Sequence, residues 1–201
     1  MKVLVACEYS GIVREAFREQ GHDAWSCDII PCSDNGIHHL VEDALNVIHW
    51  QDWDLMIAHP PCTHLAVSGN RWFADGSKPE HLRTDALDFV QELLDADIPR
   101  IALENPVGVI SSRIRKPDQY IQPYEYGHTT RKKTGLWLKN LPLLEPTNIV
   151  EPELVRYARK DGSGYTTFSA DYGGSSPTSG HRRSKFFKGI AEAMANQWGN
   201  L

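Results

Sequence analysis

No apolar run in the 201 residues approaches the length that spans a bilayer, so a membrane partner is not expected. The opening stretch, Met1-Lys-Val-Leu-Val-Ala6, is too short and too strand-like for a signal peptide. Four cysteines occur, Cys7, Cys27, Cys32 and Cys62, and no two form a Cys-x-x-Cys pair. They read as reduced thiols, which points to the cytoplasm. A Gly-x-Gly-x-x-Gly fingerprint is missing too, and that argues against a dehydrogenase. Neither an internal repeat nor a separate linker is visible. An excess of positive charge is also lacking: the net charge is −5, which excludes a surface made only for gripping nucleic acid but leaves room for a local basic patch. What is present is a globular share of hydrophobic residues, 41%, in a chain long enough for one domain with a sizeable core.

The apolar pattern predicts an α/β chain. Lys2-Val-Leu-Val-Ala6 reads as a first buried strand. A helix follows over Gly11 to Gln20, with Ile12, Val13, Ala16 and Phe17 on one face. Ala24 to Ile30 is a second strand closed by Pro31, and Asp54 to Ala58 a later one. His81 to Ala96 predicts a long helix with a stripe of Leu82, Ala86, Phe89, Val90, Leu93 and Leu94. Arg100 to Leu103 and Thr134 to Leu138 predict further strands, and Ser184 to Trp198 a closing helix. Alternation of this kind suggests a doubly wound parallel sheet with helices on both faces. Residues 140–183, rich in Gly, Ser, Thr and Pro, predict a short loop-rich insertion within a single domain covering 1–201.

Two strand patterns each deliver one reactive side chain. Cys62 follows Asp54–Ala58 within His59-Pro-Pro-Cys62, and Glu104 follows Arg100–Ala102 within Leu103-Glu-Asn-Pro106. For Cys62 three roles compete: an inert buried thiol, a metal ligand beside His59 and His64, and a nucleophile. Pro60 and Pro61 fix the backbone just before the thiol, which favours the nucleophile. Glu104 is either a salt-bridging carboxylate or a group held in place by the strand and by Asn105-Pro106. Burial there would raise its pKa and let it donate a proton near neutral pH.

Open doubly wound sheets bind ligands beyond the carboxyl ends of their strands. The turn Ala6-Cys-Glu-Tyr-Ser-Gly11 lies at such an end, ahead of a helix N-terminus. Asp28 is placed either to accept ribose hydroxyls or to cap a helix or turn, and Asp43 either to meet a nucleobase amine or to cap a helix over Ala44 to His49. Basic runs at Tyr126–Thr134 and His181–Lys185 are solvated faces or a rim that touches phosphates.

Taken in order, Ala6-Cys-Glu-Tyr-Ser-Gly11, Asp28, Pro60-Pro-Cys62, Glu104-Asn-Pro106, Tyr126–Thr134 and a closing helix, these features resemble the cytosine-5 DNA methyltransferases, in particular the short phage-type members. The resemblance covers about residues 2 to 138 and the last helix. It implies a Rossmann-like methyltransferase sheet, S-adenosylmethionine as cofactor, DNA as partner and no metal. It implies that Cys62 attacks carbon 6 of the pyrimidine while Glu104 holds N3, so that carbon 5 takes the methyl group. By the same resemblance Cys7, Glu8, Tyr9, Ser10, Gly11, Asp28, Ile29, Asp43 and Pro60 face the cofactor. Pro61, Asn105, Arg131, Lys132, Lys133, Thr134, Arg182 and Arg183 face the substrate.

The chain departs from that pattern in several places. Thr130, Lys132 and Thr134 stand where the family has Gln-x-Arg-x-Arg, and Arg131 or Lys133 could compensate. Pro106 replaces the valine of Glu-Asn-Val, and Lys188-Gly-Ile-Ala191 stands in place of a Gly-Asn-Ser. Only about fifty residues occupy the place of a target recognition domain, too few for a large major-groove reader. A second copy or a partner could supply that surface. The alternatives are the same chemistry on a free pyrimidine nucleotide or a single-stranded nucleic acid, transfer of a group other than methyl, and a non-catalytic relative that binds nucleic acid or cofactor. The expected location is the cytoplasm, of a host cell if the source is viral.

Overall fold

The structure, a computed structural model, describes residues 1–34, 36–158, 164–169 and 186–201. Two strands sit at its centre, β1 (Lys2–Ala6) and β4 (Leu55–Ala58), and from Val3 onward every residue in them is fully buried. Apolar side chains at consecutive positions suit a parallel strand covered on both faces. β1 pairs in parallel with β2 (Asp23–Asp28), and β2 with β3 (His39–Val41). On the other side β4 pairs in parallel with β5 (Arg100–Pro106). Beyond it lies β7 (Thr134–Lys139), antiparallel to β5 and to the edge strand β6 (Gln119–Ile121). The order is β3-β2-β1-β4-β5-β7-β6, so the direction of winding reverses between β1 and β4.

Helices cover both faces, as the alternation predicts. On one side α1 (Ile12–Glu19) and α6 (Lys188–Trp198) bring Val13, Phe17, Ile190, Met194 and Trp198 onto Val3, Val5, Leu55 and Ile57. On the other, α2 (Ala44–Val47), α4 (His81–Asp95) and α5 (Ile110–Arg113) bring Val47, Val90, Leu93 and Ile110 onto Leu4, Met56, Ile101 and Leu103. A short α3 (Asn70–Ala74) lies between β4 and α4. Within the predicted loop-rich segment, β8 (Leu154–Ala158) and β9 (Tyr165–Ser169) form a separate two-stranded antiparallel sheet.

Several boundaries differ from the sequence-based expectation, for physical reasons. β2 ends at Asp28, because no strand partner extends past the Asp28–Val41 pair, and Ile29 is left 76% exposed. β5 runs three residues further than predicted, to Pro106, because β7 pairs with it as far as Pro106–Thr134. Glu104 therefore sits inside a strand and not in the turn after it.

Candidate active site

The point where the winding reverses opens a crevice at the carboxyl ends of β1 and β4, where open α/β sheets take their ligands. β1 pairs Ala6 with Ala58, and β4 pairs Ala58 with Leu103. One step further, Cys7, His59 and Glu104 stand in a row across the sheet edge. They line one small cavity together with Glu8, Tyr9, Ser10, Lys132 and Phe186.

The turn after β1 is held by unusual backbone and by a buried acid. Cys7 adopts a left-handed conformation, φ 59°, uncommon for a residue with a side chain. Gly11 is left-handed too, φ 72°, and a Cβ there would meet the Arg14 guanidinium at 2.5 Å. Glu8 is buried and bends back onto the start of α1, accepting from the Val13 N–H at 2.7 Å, the Arg14 N–H at 3.2 Å and the Ser10 hydroxyl at 3.1 Å. Glu8 thus shapes the predicted cofactor turn as a helix cap. Burial pushes its carboxyl up, against the opposing pull of His59 and these hydrogen bonds.

At the end of β2, Asp28 is half-buried and accepts from the Ile30 N–H at 3.2 Å. Burial raises its carboxyl above the ordinary range. Ile29 beside it presents an apolar side chain to solvent. Asp43 caps α2, accepting from the Leu45 N–H at 2.9 Å, so the capping role is realised and one of its oxygens is committed.

Cys62 opens a 3-10 turn, Cys62–His64, directly after Pro61. Of the four cysteines it is the exposed one. Burial pushes the Cys7 thiol well up and the Cys27 thiol up to about 12, which leaves both unreactive at neutral pH. His59 and His64, the flanking candidates for a metal, turn elsewhere: His64 packs edge-on against Phe73, and His59 meets Glu104. The Cys62 turn and the residues after it are fastened in two places, to β5 and to the loop that follows β5. Buried Asn105 donates from Nδ2 to the Pro60 carbonyl at 2.7 Å. Below it, Ala66 and Gly108 form a bridge, with the Val109 N–H donating to the Leu65 carbonyl at 2.9 Å.

Glu104 is 9% exposed, and its Oε2 lies 3.2 Å from His59 Nδ1. Burial pushes this carboxyl up. The hydrogen bond from His59, the Lys132 and His59 charges and the Thr134 hydroxyl pull it down further, to below its ordinary value. The expectation that burial would make Glu104 a proton donor near neutral pH is therefore corrected: its neighbours keep it ionised. Thr134 also reaches the Lys132 carbonyl at 3.1 Å, and its one hydroxyl proton serves one acceptor at a time.

The segment before β7 alternates. Thr130 and Thr134 are buried and Lys132 lines the cavity, while Arg131 and Lys133 are exposed. Lys133 lies over the outer Tyr120 ring, 4.2 Å from its centre. The three positions aligned with the basic motif thus share the inner side. Arg131 and Lys133, the two cations offered as substitutes for the missing arginine, are the exposed members of this stretch. Pro61 is exposed beside Cys62, and Arg182 and Arg183 lie outside the described residues. His59, weighed from the sequence only as a metal ligand beside Cys62, is instead the partner of Glu104. Its signal was positional: it follows β4 at the same offset at which Glu104 follows the paired stretch of β5.

No family model matches the sequence, and no curated protein matches it. The fold is similar to that of a crystal structure of an E. coli protein described as a "putative DNA modification methyltransferase encoded within prophage". The TM-score is 0.52 at 16% identity, covering 75% of this chain and 52% of that one. The fold is that of a Rossmann-like methyltransferase. This chain spans about half the length of the protein it matches.

Proposed function

We propose that the protein transfers a methyl group from S-adenosylmethionine to carbon 5 of cytosine in DNA, through a covalent adduct with Cys62. The observation that carries this proposal is an exposed thiol in the turn after β4 and a buried, ionised carboxylate on the neighbouring strand β5, with Asn105 beside Glu104 bonded to the Pro60 carbonyl two residues before the thiol. A protein that only binds has no use for that pair. The likeness in fold to a DNA modification methyltransferase supports the choice of methyl transfer and of DNA.

Carbon 5 of cytosine is a poor nucleophile while the ring stays aromatic. Cys62 Sγ forms a bond to carbon 6, the ring electrons shift toward N3, and N3 gains a proton in balance with the one the thiol gives up. The Glu104 carboxylate accepts hydrogen bonds from that N3–H and from the exocyclic amine, which stabilises the adduct. Asn105 keeps the Cys62 turn in register with Glu104 throughout. When bound, S-adenosylmethionine supplies the electrophilic methyl group that the activated carbon 5 takes up. Loss of the carbon-5 proton to water then restores the double bond and expels the thiolate, and the N3 proton is given back as the thiol re-forms.

The residues present fit this cofactor. The half-buried Asp28 carboxylate stands beside an exposed apolar side chain, Ile29, a pairing suited to a ribose and a purine ring. Tyr9, Ser10, Gly11 and Pro60 would border the methionine part, with Cys7 and Glu8 shaping that turn and Asp43 using its remaining oxygen. On the substrate side Lys132, Thr134 and Pro61 would border the base, which must leave the stack of a duplex to reach Cys62. Arg131 and Lys133, both exposed, are assigned to the phosphates.

The test is transfer of labelled methyl from S-adenosylmethionine to duplex DNA, single-stranded DNA and deoxycytidine monophosphate, followed by digestion to nucleosides. Label in 5-methylcytosine of DNA with the wild type, and none with Cys62→Ser, is expected. Label only in the free nucleotide would move the substrate, and label in none of the three removes the proposal.

A further inference from the structure

His59 stands in the row of groups between the β1 turn and Glu104. Its Nδ1 lies 3.2 Å from Glu104 Oε2, and the two side chains are 11% and 12% exposed. With a carboxylate as partner, Nδ1 must carry the proton. The far side of the ring is apolar: Phe186 lies 4.5 Å away centre to centre, and Nε2 is buried without a hydrogen bond among the described residues. Among the described residues, the hydrogen bond of the imidazole goes to the carboxylate, while Glu8 is near enough to feel its charge.

We infer that His59 is the positioning residue for Glu104, anchoring one carboxylate oxygen through Nδ1–H and thereby setting the pH below which the site stops working. The inference rests on the function proposed above, since it assigns Glu104 a part in that reaction. The charged and titratable groups around His59 come from three elements. Glu104 is on β5, Lys132 is on the segment leading into β7, and Cys7, Glu8 and Tyr9 are on the turn after β1. Phe186, ahead of α6, adds no charge. Among these, Lys132 acts on Glu104 through charge, while His59 adds a directed hydrogen bond as well. Loss of a bonded donor from a buried carboxylate favours its protonated form. An acid-side fall in rate governed by Glu104 then moves to higher pH.

Two kinds of variant separate positioning from packing. His59→Phe keeps a ring against Phe186 and loses the donor. His59→Asn loses the ring and keeps an N–H where Nδ1 stood. Carbon-13 NMR of the Glu104 carboxyl in the free protein is expected to show its titration midpoint raised by about one pH unit or more in His59→Phe. It should stay near the wild-type value in His59→Asn. The acid limb of kcat/KM for methyl transfer should move with it in the Phe variant and be rescued in the Asn variant. His59→Leu serves as a second donor-free variant should His59→Phe not fold.

A Glu104 midpoint equal in wild type and the donor-free variant overturns the inference, as does a Phe variant that outperforms the Asn variant. The NMR arm needs no activity. A raised midpoint in a protein that methylates nothing sinks the proposed function and leaves the coupling standing, whereas an unmoved midpoint in an active enzyme sinks the inference alone.

Discussion

Glu104 and Glu8 are both buried carboxyl groups, yet their surroundings push them in opposite directions. Burial dominates at Glu8 and raises it; His59, Lys132 and Thr134 outweigh burial at Glu104 and lower it. The consequences for stability have opposite signs. A carboxyl lowered on folding stabilises above its unfolded pKa, about 4.3 for Glu, and loses that contribution as the pH falls through its folded value. A raised carboxyl stabilises below about 4.3 and loses its contribution as the pH rises through its folded value. Urea unfolding of wild type and Glu104→Gln at a series of pH values should therefore show the difference in favour of the wild type widening as the pH rises toward the unfolded value of about 4.3. A difference independent of pH would contradict this account of Glu104. At this scale Cys62 and Glu104 were legible in the sequence, because each follows a short apolar run and is framed by proline. The charge state of Glu104 was not legible, because it depends on His59 and Lys132, which lie 45 and 28 positions away along the chain. The cap formed by Glu8 was hidden for a similar reason: its partners are amides of the next helix.

The elements that carry the site are joined by backbone more than by side chains. β4 and β5 deliver Cys62 and Glu104, and the Ala66–Gly108 bridge fastens the loops that follow them. A Cβ at Gly108 would stand 2.0 Å from the Leu65 carbonyl oxygen and 2.8 Å from its carbon, both backbone atoms that cannot swing aside. Gly108→Ala must therefore spread the two loops. An overpacking cost of about 1–3 kcal/mol in urea unfolding is expected, with slower methyl transfer because Cys62 moves relative to Glu104. A variant as stable and as fast as the wild type would show that the bridge does not set the site. β1, β4, α1 and α4 could be read from the sequence because their apolar patterns are uninterrupted or strictly helical. β3, β6, α3 and α5 could not: they span three to five residues, too few for a period to emerge. The end of β5 depends on β7, whose Thr134 pairs with Pro106 from 28 positions further along the chain, and only pairing reveals it.

At the scale of the whole molecule, the sheet order and the single antiparallel strand β7 give a methyltransferase-like scaffold, with its crevice where the winding reverses. α1 and α6 on one face, and α2, α4 and α5 on the other, bury the strands and leave the carboxyl edge open for chemistry. The net charge of −5 leaves any contact with phosphate to local basic runs such as Tyr126–Thr134. The proposed chemistry needs one base and one thiol, and both can be tested without knowing the target sequence. The most direct measurement is intact-mass spectrometry of the protein incubated with S-adenosylmethionine and DNA carrying 5-fluorocytosine, whose fluorine blocks the elimination that frees the thiol. The account predicts a species with the mass of protein plus oligonucleotide plus one methyl group, absent in Cys62→Ser. Wild type that stays unmodified on both duplex and single-stranded DNA, as Cys62→Ser does, would contradict it.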